Sequence, residues 1–169
     1  MKRILFVILC AVTFCVTASA QTPQFGYFSY DSVLTSMRSY LSVQAQLEEL
    51  RLKYDEEAKR SEQDFNLKYE EFLENQSSYP EAILQKRLSE LQNQMQRNID
   101  FRSEARRLLA EAEAEAMTPL RERINDAVKA MGERFSLAFI INTDGNACPY
   151  INPEMGIDVT PAIKEHLSR

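Results

Sequence analysis

The sequence predicts an α+β protein: a long antiparallel helical hairpin, coiled-coil-like and projecting as a tentacle, on a small β-barrel body formed by oligomerisation. Three observations predict it. From about Tyr40 to Arg134 the only helix-breaking residues are Pro80, Pro119 and Gly132. Within that region apolar residues recur every three or four positions on both sides of one polar interruption. Both ends of the chain carry short apolar and aromatic runs of strand character.

Residues 1–20 open with Lys2 and Arg3, continue as an apolar run from Ile4 to Val16, and end in Ala18-Ser19-Ala20. That order predicts a cleavable secretory signal peptide, and the run is shorter than the roughly 20 residues a membrane anchor needs. Cys10 and Cys15 follow the bulky Leu9 and Phe14, which argues against lipidation at either cysteine. Cleavage after Ala20 leaves Cys148 alone, so the mature chain is expected to fold without an internal disulfide and to act outside the cytoplasm. Without Lys2 and Arg3 the chain has 18 basic residues against 25 acidic ones. Such an acidic balance argues against a nucleic-acid partner.

The arm is expected over residues 47–109. Its first half carries Leu47, Leu50, Tyr54, Ala58, Ser61, Phe65, Tyr69 and Phe72, an 11-residue pattern in three turns. At about 3.67 residues per turn such a stripe runs nearly straight along the helix. The tip is expected at 75–80, where Asn75-Gln76-Ser77-Ser78-Tyr79 precedes Pro80, because proline pushes its predecessor out of the helical region. The second half carries Leu84, Leu88, Leu91, Met95, Ile99, Arg102, Ala105 and Leu109. Folding back near Ser78 pairs Phe72 with Leu84, Tyr69 with Leu88, Phe65 with Leu91, Ser61 with Met95, Ala58 with Ile99 and Leu47 with Leu109, small against large. Leu47 to Asn75 has 5 basic and 10 acidic residues and Glu81 to Arg107 has 6 basic and 4 acidic, a weak preference for the same pairing. At 1.5 Å per residue the arm projects roughly 40 Å.

The body is expected from residues 21–46 and 110–169. Gln24 to Tyr30 reads as a strand that stops at Asp31-Ser32, a helix N-cap pair. The Ala-Glu run 111–116 should extend the second helix towards Phe135, with Thr118-Pro119 kinking it or capping a new helix. Leu137 to Ile141 reads as an apolar strand and Asn142 to Asn146 as a turn with an Asp-Gly signal, before a second strand around Ala147 to Ile151. Asp158 or Thr160 is placed to cap a last helix opened by Pro161. These strands are too short for an independent core, so Phe25, Tyr27, Phe28, Leu137, Phe139, Ile140 and Ile141 are expected to build an oligomeric body that closes its own edges.

In this order of parts the chain resembles the Skp/OmpH family of periplasmic chaperones. The resemblance rests on the signal peptide, the opening Phe25 to Leu34 segment, the charged hairpin, the closing Leu137 to Thr143 strand, and Asp158-Val159-Thr160 before a final helix. It implies a homotrimer whose β-barrel holds three helical arms around a cavity, where unfolded outer-membrane proteins are kept without nucleotide or any other cofactor. The best-known members are strongly basic, and this chain is acidic. That departure argues against attraction to anionic lipid or lipopolysaccharide.

No catalytic or metal site is expected. His166 is the single histidine, Cys148 has Ala147 and Pro149 as neighbours, and no phosphate loop or nucleophile elbow is present. Pairs such as Glu48-Glu49 and Glu70-Glu71 read as a solvated helix face. Candidate contacts to an unfolded client are Leu52, Leu67, Leu73, Tyr79, Ile83 and Phe101, apolar residues off the main stripe or near the tip. The competing reading is a structural or adaptor coiled coil of the cell envelope.

Overall fold

The computed structural model describes residues 24–168; the signal peptide read at 1–20 lies outside the described residues. Phe25-Gly26-Tyr27-Phe28 forms β1, with Gly26 and Phe28 turned inward. Gly26 is required by close approach: a Cβ there would sit 2.7 Å from Leu137 Cδ1 and 3.1 Å from Ile140 Cγ1. Helix α1 (Tyr30–Ser36) is capped by Ser29, whose hydroxyl accepts from Ser32 N. The cap thus falls before the expected Asp31-Ser32 pair, and Asp31 occupies the first turn, where its charge suits the helix dipole.

Met37 adopts an extended conformation, and the long helix α2 (Arg38–Asn75) begins after it with no side-chain cap. A short 3-10 turn at Gln76–Ser78 and the extended Tyr79 form the tip, as the Tyr79-Pro80 pair predicted. Helix α3 (Glu81–Arg134) then runs 54 residues without interruption. Pro119 lies inside it, so the sequence expectation of a kink or a new cap resolves as a continuous helix in which the Glu115 carbonyl has no amide donor from residue 119. The preceding Thr118 hydroxyl bonds back to Ala114 O at 2.8 Å.

Strand β2 (Ile140–Asn142) begins later than the expected 137–141 strand. Residues 144–146 form a tight 3-10 turn, in which Gly145 takes φ 64°. The expected strand at 147–151 is absent: that segment is irregular, and the third strand, β3, is Gly156–Asp158. The Asp-Gly signal had suggested a hairpin. Instead the sheet is parallel, in the order β2-β1-β3, so neither late strand pairs with the other. Helix α4 (Thr160–Ser168) follows, with Asp158 Oδ1 accepting from Thr160 N.

The core lies where these ends meet. Leu120, Ile124, Ala127 and Met131 line one face of α3 and close on Val33 and Leu34 of α1, Ile163 of α4, Phe28 and Val159. Ile124, Ile163, Val33 and Val159 are fully buried, each contributing about 1.5–3 kcal/mol by burial. Polar bonds lock the same junction: Ser29 N donates to Thr160 Oγ1, Tyr30 N to Asn142 Oδ1, and Asp31 N to Asp144 Oδ2. Everything from the middle of α2 through the tip to the middle of α3 therefore stands away from the core as a two-helix arm.

Candidate functional site

Among the described residues no group of three or more His, Cys, Asp and Glu side chains is placed to hold a metal ion, and no helix is long and apolar enough to cross a membrane. Cys148 is half-buried and its thiol donates to Tyr150 O at 3.4 Å. His166 is exposed in the last turn of α4. The arm is the remaining extended surface, and its chemistry follows from how its two helices meet.

The seam is partly aromatic. Tyr54 packs on Phe101 with ring centroids 6.2 Å apart and Phe72 meets Tyr79 at 6.5 Å near the tip, while within α2 the half-buried Phe65 stacks on the outward Tyr69 at 6.0 Å. Between these aromatic contacts the seam is polar. Asn98 Nδ2 donates to Ser61 O at 3.2 Å, and Asp64 Oδ2 accepts from both Lys68 Nζ and Gln94 Nε2 at 2.7 Å. The Lys68 ammonium first, and then the Gln94 amide, hold the Asp64 carboxyl below its usual range. Arg102 Nη2 reaches Glu62 Oε2 at 2.6 Å. Of ten ion pairs among the described residues this alone joins the arms; the rest lie within one helix, so the opposite arm charges hold the hairpin together only slightly.

This geometry corrects the register read from the sequence. Ser61 faces Asn98 rather than Met95, and Met95, Ile99 and Leu88 stand 48%, 52% and 41% exposed. The seam of α3 follows Leu91, Gln94, Asn98, Phe101 and Ala105, a row turned away from Leu88, Met95 and Ile99. Apolar spacing alone allowed either row. Hydrogen bonds from Gln94 and Asn98 to the facing helix, together with the Phe101 ring, settle it.

The arm consequently has two unlike faces. Helical spacing places Tyr69 and Leu73 in one row with Glu62 on α2, and Ile99, Met95, Leu88 and Leu84 in one row with Arg102 on α3. Since Glu62 and Arg102 bond to each other, both rows border the same side of the seam. On the opposite side, marked by the Lys68–Gln94 contact, Lys68, Glu71, Arg87, Glu90 and Arg97 surround a cleft of about 500 Å³ floored by Phe72 and Leu91.

The residues singled out from sequence are dispersed by this arrangement. Leu73 joins the apolar rows at 45% exposure. Leu52 and Leu67 project from the outer side of α2, and Ile83 is exposed near the tip on the other side of the seam. Tyr79 and Phe101 are half-buried against Phe72 and Tyr54. Tyr69, Leu88, Met95 and Ile99 had been placed in the seam and are instead exposed. In the body, Phe28 is buried in the chain's own core, while Phe25 stacks on the exposed Phe139 at 5.7 Å. Tyr27, Leu137, Ile140 and Ile141 are half-buried around β1 and β2.

A family model described as outer membrane protein (OmpH-like) matches residues 24–167. The chain belongs to the OmpH-like family. None of the curated proteins compared matches the OmpH-like chain. Among solved structures it is similar to a Caulobacter crescentus protein described as an outer membrane chaperone (OmpH-like), with a TM-score of 0.72 and 14% identity over 86% of this chain and 83% of that one. At that identity the likeness is one of fold, and it extends over arm and body alike.

Proposed function

We propose that this OmpH-like protein is an ATP-independent holdase chaperone of the periplasm, exported by a cleaved signal peptide, which binds unfolded outer-membrane proteins between helical arms. The observation that carries the proposal is the exposure of large apolar side chains along both arm helices: Leu52, Leu67, Tyr69, Leu73, Ile83, Leu88, Met95 and Ile99 are all 41–67% exposed. A helix pair that served only as a spacer has reason to bury such residues in its seam. Family membership and the chaperone description of the Caulobacter structure support the same reading.

The body, from 21–46 and 110–169, would assemble as a homotrimer and carry one arm, 47–109, per chain. Supporting this are the outer edges of β2 and β3, unpaired among the described residues, and the exposed Phe139, Tyr150 and Met155. The mature chain beginning at Gln21 is expected to suppress aggregation of a urea-denatured outer-membrane β-barrel protein on dilution, at near-stoichiometric amounts and without nucleotide. Light scattering of the client reads the result. An assembled protein that leaves aggregation unchanged would replace this reading with that of a structural adaptor.

A further inference from the structure

We propose that the holding surface is one face of the arm only, the rows Tyr69, Leu73, Leu84, Leu88, Met95 and Ile99, and that its occupant is an uncharged extended segment of unfolded polypeptide with alternating apolar and polar residues. This inference rests on the chaperone reading and specifies its site and its ligand.

Three features of the face support it. The first is its lack of charge. On α3 the row beyond Leu88, Met95 and Ile99 consists of Gln85, Ser89, Gln92, Gln96 and Ser103, and on α2 Asn66 borders Tyr69 and Leu73. The nearest charges stand at its margins: Glu70, Glu81 and Asp100, the last two bound by the Gln85 and Gln96 amides, and the Glu62–Arg102 pair that closes the end towards the body. A charged segment laid here would be desolvated with few partners, which costs more than the contact returns. An uncharged one loses little, because the Gln92 amide can donate to and accept from its polar side chains and backbone, and the amide oxygens of Gln85 and Gln96, whose nitrogens bind Glu81 and Asp100, can still accept.

The second is the contrast with the other side. Arg87, Arg97 and Lys68 crowd the opposite cleft with Glu71 and Glu90, and a surface so well solvated has weak reason to hold apolar chain. The third is length. Leu84 to Ile99 spans about 22 Å of helix, which matches an extended segment of about six or seven residues. A run of that size with side chains alternating to its two faces can set its apolar side on the leucine and isoleucine rows and leave its polar side to water.

The test uses the full mature protein and fluorescein-labelled ten-residue peptides. One alternates Val, Leu and Tyr with Thr, Ser and Gln, and two others carry paired Lys or paired Asp at the polar positions. Fluorescence anisotropy is expected to show binding of the neutral peptide, with unchanged or tighter affinity as sodium chloride rises from about 50 to about 500 mM, and weaker binding of both charged peptides. Met95→Asp with Ile99→Asp should weaken binding about tenfold or more. Arg87→Glu with Arg97→Glu should leave it within about twofold. Leu88→Ala, a milder change on the exposed row, serves if the double aspartate alters the circular dichroism spectrum or the melting temperature. The inference is overturned if salt or the Arg87/Arg97 pair abolishes binding, or if a charged peptide binds best. A native mature protein that suppresses client aggregation but does not bind the neutral peptide overturns this site alone; one that does neither overturns the chaperone reading with it.

Discussion

At the scale of single residues, burial in the base sets the cost of change. Ile124 is fully buried among α1, α4 and the sheet, so Ile124→Ala is expected to lose about 2–5 kcal/mol in urea unfolding. Gly26→Val inserts a side chain where Leu137 and Ile140 already stand within 2.7 and 3.1 Å of a Cβ, and should cost about 1–3 kcal/mol by the same measurement. On the arm, the carboxyls of Glu48, Glu49 and Glu104 are also held low, by Arg51, Lys53 and Arg107 of their own helices, but Asp64 is the one whose lowering involves the facing helix. Its folded carboxyl lies below the usual value of 3.8 because Lys68 and Gln94 bind the charged form. The unfolded chain therefore takes up its proton at the higher pH. The stabilisation is complete above about that value and disappears as pH falls through the lowered one. The difference in melting temperature between the native protein and Asp64→Asn should accordingly narrow on acidification below this range, and a gap that stayed constant would show that Asp64 does not link the helices.

At the scale of elements, the arm's seam is weakest in its middle, where Ser61, Gln94 and Asn98 lie between the aromatic contacts at Tyr54–Phe101 and Phe72–Tyr79. Gln94→Leu with Asn98→Leu would let the seam bury apolar groups beside Phe65 and Ala58. Hydrogen exchange of the arm amides should slow, and its failure to do so would mean that the polar contacts already pack as well as leucines. In α3 the proline is the exception to local preference. Pro119→Ala restores an amide donor for Glu115 O, and is expected to stabilise the protein by as much as about 3 kcal/mol in thermal or urea unfolding. The elements themselves were largely legible in the sequence. The Tyr79-Pro80 tip, both arm helices and β1 follow from proline chemistry, three-four spacing and aromatic content. What was not legible was which of two neighbouring rows on α3 turned inward. Spacing fixes a period but not the phase against a partner, and only the bonds of Gln94 and Asn98 across the seam select it. The Asp144-Gly145 pair likewise predicted a turn but not what followed, since the next strand lies further on at Gly156–Asp158 and pairs in parallel with β1 rather than with β2.

At the scale of the whole molecule, a parallel three-stranded sheet whose two edges have no partner strand among the described residues is a small base for so long an arm. Parallel strands are normally covered on both faces, yet Phe139, Tyr150 and Met155 remain exposed in this base. Multi-angle light scattering of the mature protein is expected to give the mass of an oligomer, and Phe139→Asp to reduce it towards that of one chain; a monomeric native protein would remove the basis for a shared body. The candidate surface illustrates why sequence went only part of the way at this scale. Exposed apolar residues could be counted, but Leu73 belongs with Tyr69, Leu88, Met95 and Ile99 only once the two helices are set side by side, whereas Phe101 and Tyr79 withdraw into contacts with Tyr54 and Phe72.

The position of β1 at the centre of the sheet governs how the molecule comes into being. Phe28 O receives its bonds from Thr143, 115 residues further along the chain, and Tyr27 pairs with Asp158 near the other terminus. As the polypeptide is made from its N-terminus, the middle strand arrives first and its two neighbours last. The helices in between can form from local contacts within microseconds, and by doubling back they bring the distant ends together, shortening the search that would otherwise delay so non-local a sheet. The same arm that stands free in the finished protein can thus serve earlier as the splint on which the base is assembled.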